Sequence, residues 1–437
     1  MNDGLFVDKS YHSIVKGNTV NGKHLIYLED AANIEVTDVA GQVILVNCNN
    51  IRVENQDLSN TDVGIELLKT DDSIIANNTV SSNDYGIKLY VSCNNTICDN
   101  NVCTNNEHGI DLIYSDSNSI TRNNASSNHD CGIILGTSIG NSITGNEARN
   151  NTDDGIYLYD SRDNSITGNE VRNNNNDGIY LYDSRNNSFT YNNASNNNGS
   201  GIYLISASNN KIYLNNFIDN ADESYSSHPN NTWNSTEELV YTYNGSTYKN
   251  CLGNYWSNYT DKYPDAKEID GYGIWNTPYS IYSDNDTYPL VEHYTNYNVT
   301  AETSFDTGPS KKPYPAIYGI HNGTITPNRD IEVQKLYTYP CTGTGGHTEY
   351  ARIWNSSLDV TATWSGYTEE WQHIAFNDPF TLVAGETYNY YIRTGSYPQI
   401  HHNGALQTTN GWINCTEFTD ANGKIYDDWL PAIRLWS

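Results

Sequence analysis

Seven Gly-Ile pairs stand at near-constant spacing in the first half of the chain: Gly64-Ile65, Gly86-Ile87, Gly109-Ile110, Gly132-Ile133, Gly155-Ile156, Gly178-Ile179 and Gly201-Ile202. The first step is 22 residues and the next five are 23. Three residues after each Gly stands Leu, from Leu67 to Leu204. Eleven after each Gly stands a second apolar row: Ile75, Ile97, Ile120, Ile143, Ile166, Phe189 and Ile212. A third row is smaller: Val80, Val102, Ala125, Ala148, Val171, Ala194 and Phe217. Three short apolar segments per repeat suit three short strands and leave no room for a helix. One coil cannot bury its own apolar face, so each must pair with the coils on either side. The expected fold is all-β, a right-handed parallel β-helix of about nine or ten coils, roughly 45 Å long at the spacing of paired strands. A leucine-rich repeat has a similar period, but its Leu-x-x-Leu-x-Leu signature is absent.

Composition fits a thin apolar column. Only 37% of residues are hydrophobic, 17% are charged and mean hydropathy is -0.66. Asn occurs 64 times, far above ordinary usage. Much of it falls in columns: Asn78, Asn100, Asn123, Asn146, Asn169, Asn192, Asn215, and Asn83, Asn105, Asn128, Asn151, Asn174, Asn197, Asn220. Stacked Asn can bond its neighbours and the bent backbone, and tolerates left-handed φ. The rhythm begins earlier and less regularly, at Leu25-Ile26-Tyr27-Leu28, Ile34-Glu35-Val36, Val43-Ile44-Leu45-Val46 and Ile51-Arg52-Val53.

Lys and Arg number 23 against 52 Asp and Glu, a net charge of -29. Such a surface repels nucleic-acid backbones and anionic lipid, so no nucleic-acid partner is expected. No run of 18 apolar residues suggests a membrane span, and no basic-then-apolar leader opens the chain. For a surface protein, the expectation is that any leader has been removed and any anchor lies elsewhere.

The unit Gly-Ile-x-Leu-x-x-Ser-x-x-Asn-x-Ile-x-x-Asn resembles the parallel β-helix repeat of the NosD-like family, also described as the carbohydrate-binding and sugar-hydrolase β-helix group of pectin-lyase-like fold. Beyond the coils come Asn231-Thr232-Trp233, then Leu252-Gly253-Asn254-Tyr255-Trp256-Ser257-Asn258-Tyr259, Thr277-Pro278-Tyr279 and Tyr288-Pro289-Leu290. These resemble the closing cap of NosD-like surface proteins of archaea. The resemblance covers residues 25–292 and implies an extracellular or cell-surface location. In that family an acidic Asp-x-Asp-Gly-Asp-Gly loop often precedes Thr-Pro-Tyr and suits Ca²⁺. Here Asp261, Asp265 and Asp270 remain of it, as candidate ligands or as a polar capping loop. No other cofactor is expected. Copper handling, which NosD itself serves, is not expected either, because Met occurs once and no Cys/His/Met cluster is visible.

Asn thins out after about residue 298, and alternating strands follow, such as Tyr350–Trp354, Val360–Trp364 and Thr387–Ile392. Six of nine Trp (Trp354, Trp364, Trp371, Trp412, Trp429, Trp436) lie there, expected mainly as core. The resulting division is coils over 1–220, a cap over 221–296, a linker or first edge over 297–315 and a β-sandwich over 316–437. His347, Glu349, His401 and His402 fall in the sandwich, where adjacent His on a strand point apart and share no ion easily. Cys341 and Cys415 are alone there and are expected to pair. Cys93, Cys98, Cys103 and Cys131 are expected to spread around the coil perimeter. About sixteen Asn-x-Ser/Thr sequons say little where Asn is so common.

Two residues after each Gly lies a column expected to face outward: Glu66, Lys88, Asp111, Ile134, Tyr157, Tyr180, Tyr203. Its upper part is ionisable, with His108 and Tyr114 near it. Its lower part is a Tyr ladder flanked by Tyr159, Tyr182, Asp160, Asp183, Arg162 and Arg185. Flat phenol rings suit sugar C–H faces, so extracellular polysaccharide or glycoconjugate is the expected partner. Lys88, between Glu66 and Asp111, could take a proton beside a uronate with His108 or Tyr114 as acid. Both groups also read as self-stabilising ladders of an exposed sheet. Three functions stay open: a glycan-binding or adhesive surface component, a polysaccharide lyase, hydrolase or epimerase, and a spacer carrying a binding head.

Overall fold

The computed structural model describes residues 4–8, 13, 15, 17–300, 304–367 and 371–437. The chain forms two compact units, Met1–Val299 and Thr300–Ser437.

The first unit is a parallel β-helix with three rows of strands. The first row stacks ten parallel strands, from Lys23–Glu29 to Asp222–Ser226, and Thr19–Val20 adds an antiparallel edge. The second row has nine, from Ala32–Val36 to Lys211–Tyr213. The third has nine, from Asp57–Ser59 to Tyr255–Trp256. Register is strict: Ile87 pairs with Ile65 and Ile110, and Leu89 with Leu67 and Leu112. Stacking identical residues puts all three apolar rows in one continuous core.

Each repeat Gly answers a close approach at a corner. A Cβ on Gly155 would lie 2.3 Å from Val171 Cγ1 and 2.7 Å from both Asn174 Nδ2 and the Gly178 carbonyl. The Asn columns are buried ladders. Asn169 donates its backbone N–H to Asn192 Oδ1 (3.0 Å), and its side-chain amide to Asn192 Oδ1 and the Ile143 carbonyl (2.9 Å each). The left-handed residue is not the ladder Asn but the one before it: Asn77, Asp99, Arg122, Gly145, Gly168 and Tyr191. Asn is therefore kept for its amide, which satisfies corner backbone groups that water cannot reach. A third Asn ladder runs from Asn95 to Asn231, with a Ser ladder from Ser92 to Ser184 beside it.

The open C-terminal end of the core is closed by aromatics. Trp256 stacks on Phe217 (4.7 Å) and Tyr279 (4.2 Å). The hairpin Tyr279–Ile281/Asp284–Asp286 presents two buried carboxylates. Trp233 donates its indole N–H to Asp284 (3.2 Å) and Trp256 to Asp286 (3.0 Å). Each buried acid thus has a donor from the motif that caps the coils.

The second unit is antiparallel. Eleven strands hydrogen-bond in one sheet, with His373–Leu382 bridging its two halves around the main core cluster. Two expectations are corrected. Of the six Trp only Trp429 is buried, and Trp412 is 45% exposed. Tyr388, Tyr390 and Phe376 fill the main core, while Phe418 and Trp429 share a second, smaller cluster. Cys341 and Cys415 are not bonded to each other. The sulfur of Cys341 lies on the Pro398 carbonyl and that of Cys415 on the Trp429 carbonyl, so each is absorbed by its own surroundings.

Candidate functional site

The first strand row carries the expected column in register, Glu66–Lys88–Asp111 and then Ile134–Tyr157–Tyr180–Tyr203. Its upper part is not an open catalytic trio. Glu66 is 4% exposed and accepts the Val7 N–H (3.1 Å), because the Leu5–Val7 segment packs across these coils. Burial pushes its carboxyl up to about 7. Lys88 is ion-paired with Asp111, which is 2% exposed, and its ammonium lies 4.1 Å from the Tyr85 ring centre. His108 meets Asp130, with Nδ1 3.7 Å from the carboxylate. Tyr114 is half exposed and meets Tyr90 edge-on. Of the five, Lys88 and Asp111 form an ion pair, and Glu66 lies beside Lys88 in register and feels its charge.

The Tyr ladder is longer than the sequence reading. It continues from Tyr203 to Tyr225 (4.8 Å, 26°) and on to Tyr282 (5.0 Å, 32°). Tyr157 and Tyr180 stack at 4.7 Å and 6°, so they cover each other's faces and offer no flat platform. Tyr180 and Tyr203 are tilted by 48°. A cleft of about 460 Å³ opens beside that tilt, lined by Asn176, Asp177, Tyr180, Gly199, Ser200, Tyr203, Ala221 and Asp222. Of the flanking candidates, Tyr159 lies over Gly136, the bare position of the preceding coil. Tyr182, Asp160, Asp183, Arg162 and Arg185 are exposed, and Arg162 pairs with Asp163. None of these six lines the cleft.

The structure adds a column that the sequence reading missed, the residue before each repeat Gly. His108, Cys131, Asp154, Asp177 and Ser200 follow one another coil by coil, tied by Gly109 N–H to Cys131 O, Gly132 N–H to Asp154 O and Gly155 N–H to Asp177 O (3.0 Å each). Asp154 accepts the Asp177 N–H, and Asp177 accepts the Ser200 N–H. Burial pushes Asp154 up to about 8 and Asp177 to about 6, and it raises the Cys131 thiol as well. The signal was the repeat itself, read one residue too late.

Two groups bring three potential ligand atoms within 4.8 Å of one another: His108, Asp130 and Cys131, and Cys131, Asp153 and Asp154. A Cys and a His, expected not to cluster, thus lie together at His108 and Cys131. The calcium candidates Asp261, Asp265 and Asp270 are exposed and join no such group among the described residues. In the second unit, Glu349 pairs with Arg393, His347 stacks on Trp364, His401 faces the Gly308 carbonyl and His402 meets Trp429, so these four do not converge.

The family described as periplasmic copper-binding protein (NosD) matches residues 29–148 and 122–261, together 233 of the 437 residues. The chain belongs to the NosD family. The overlap of the two matches reflects the repeat, and the second unit lies outside both. No curated protein matches the NosD-family chain by sequence. Among solved structures it is similar to the periplasmic alginate epimerase AlgG, with 19% identity over 44% of this chain and a TM-score of 0.33. It spans 62% of that protein, less than two thirds. The A-module of Azotobacter vinelandii mannuronan C-5 epimerase AlgE6 is 12% identical (47% of this chain, 71% of that one, TM-score 0.37). Pectate lyase Pel9A is 14% identical (47% and 72%, TM-score 0.32). Among the described residues no helix is long and apolar enough to cross a membrane.

Proposed function

We propose that this NosD-family chain binds a neutral glycan outside the cytoplasm, across the cleft at Tyr180 and Tyr203. The observation that carries the reading is the break in the Tyr ladder, where two rings part by 48° over a cleft of about 460 Å³. Tilted rings give a sugar ring apolar contact, while Asn176, Asp177, Ser200 and Asp222 offer acceptors and donors for its hydroxyls. No Lys or Arg lines the cleft, and the chain carries a net charge of -29, so a uronate is disfavoured there. The family's description as periplasmic supports the location.

A panel of neutral and uronic polysaccharides tests the reading, followed for retention and for chain shortening. Retention of a neutral glycan without cleavage is the expected result. Retention of uronic chains alone counts against it.

A second reading has one observation of its own. Asp177 and Asp222 line the same cleft, and two carboxylates beside a bound sugar are the elements of glycoside hydrolysis. Shortened products that vanish in Asp177→Asn would favour this enzyme reading over simple binding.

A further inference from the structure

We propose that Cys131 is the centre of a site for one zinc-class divalent cation, with His108 and Asp130 as the other ligands. Asp153 and Asp154 flank the same sulfur.

The repeat builds the site. Each 23-residue step places the residue before the repeat Gly directly over its predecessor, so His108 and Cys131 come from neighbouring coils and Asp154 from the next. The ligand atoms of His108, Asp130 and Cys131 lie within 4.8 Å of one another, and those of Cys131, Asp153 and Asp154 do likewise. Side-chain rotation alone can draw such atoms to metal–ligand distances of about 2.0–2.3 Å.

These groups are not spent elsewhere. His108 Nδ1 is buried and has no hydrogen-bond partner. The Cys131 sulfur lies 3.4 Å from Asp130, and Cys131 is 1% exposed. Among the described residues, no Lys or Arg pairs with Asp130, Asp153 or Asp154, and the nearby Lys88 is committed to Asp111. Asp153 accepts only an Asn176 amide (3.0 Å), and Asp154 only a backbone N–H. Three carboxyl groups thus gather around one buried thiol and an imidazole nitrogen that has no hydrogen-bond partner.

The donor set selects the ion. Calcium and magnesium want oxygen ligands throughout. A single sulfur, an imidazole and carboxylates suit zinc, whereas copper(I) favours thiolate and thioether sets. Binding replaces the thiol proton by the metal–sulfur bond and releases that proton to solvent.

The test titrates the reduced full-length chain with Co²⁺ and follows near-ultraviolet thiolate-to-cobalt absorption. One equivalent should produce the band, and Zn²⁺ should bleach it. Cys131→Ser should abolish it, while Cys103→Ser and Cys341→Ser should keep it. Asp130→Asn gives a second handle that leaves the buried sulfur in place, and should weaken binding at least tenfold, as should His108→Ala. Absence of the band overturns the site, as does a band that survives Cys131→Ser. Unchanged affinity in both Asp130→Asn and His108→Ala overturns the ligand set. Ca²⁺ displacing Co²⁺ as well as Zn²⁺ does overturns the zinc-class assignment. None of these readouts depends on the glycan reading.

Discussion

Tyr180 and Tyr203 hold the same position on neighbouring coils, yet their rings meet at 48° with centroids 5.5 Å apart. One coil earlier, Tyr157 and Tyr180 lie 6° from parallel. Stacked rings spend their faces on each other, as cross-strand aromatic pairs do in any sheet. The tilt is where ring surface meets the cleft, so binding is expected at that step of the ladder rather than along its whole length.

Lys88, half-buried, is ion-paired with the buried Asp111. Lys88→Ala leaves Asp111, 2% exposed, without its cation, and should cost roughly 3–5 kcal/mol. The double variant Lys88→Ala/Asp111→Asn should recover part of that loss. Urea unfolding measures both, and glycan retention should be unchanged in the double variant.

Glu66 makes stability pH-dependent. Its carboxyl is pushed from 4.5 up to about 7, chiefly by burial, against the Val7 N–H and Lys88 and with help from Asp8. The folded state therefore binds more protons than the unfolded state between these values. Its contribution is full below pH 4.5 and is lost as pH rises through 7. Glu66→Gln should remove that slope and gain on the order of 3 kcal/mol relative to the parent at pH 8. Thermal unfolding across pH 4 to 8 checks it. An equally steep loss in the variant would contradict the assignment.

The Asn ladders should be the most sensitive polar positions of the coils. Asn169→Ala removes the side-chain amide's bonds to Asn192 Oδ1 and the Ile143 carbonyl, and it strands the Asn146 backbone N–H that Asn169 Oδ1 accepts. A loss of about 3 kcal/mol or more is expected, since each stranded buried group costs roughly 1–3 kcal/mol. Substituting the left-handed Gly168 next to it by Asn should cost far less, because Asn already fills that position at Asn77. Chemical denaturation of the two variants gives the comparison.

The rows of Ile65, Ile75 and Val80 and their repeats announced the coils, because a stacked solenoid repeats its inward residues at fixed spacing. The same periodicity could not reveal that Leu5–Val7 covers Glu66. That contact spans 59 residues and belongs to no repeat. Nor could it show ring tilt, which is set by packing within the ladder and not by position in the strand. His108, Cys131, Asp154 and Asp177 were visible as a column, but they precede the Gly corner and so fall outside the in-and-out alternation of the strand. The Cys341–Cys415 pairing came from counting alone, and counting cannot sense where each sulfur points.

The most direct test of the binding account is calorimetric titration of the neutral oligosaccharide retained by the parent chain into Tyr203→Ala and Tyr157→Ala. The account predicts at least a tenfold loss of affinity in Tyr203→Ala, with Tyr157→Ala within about twofold of the parent. Equal losses in both variants, or none in either, would contradict a site at the Tyr180–Tyr203 step.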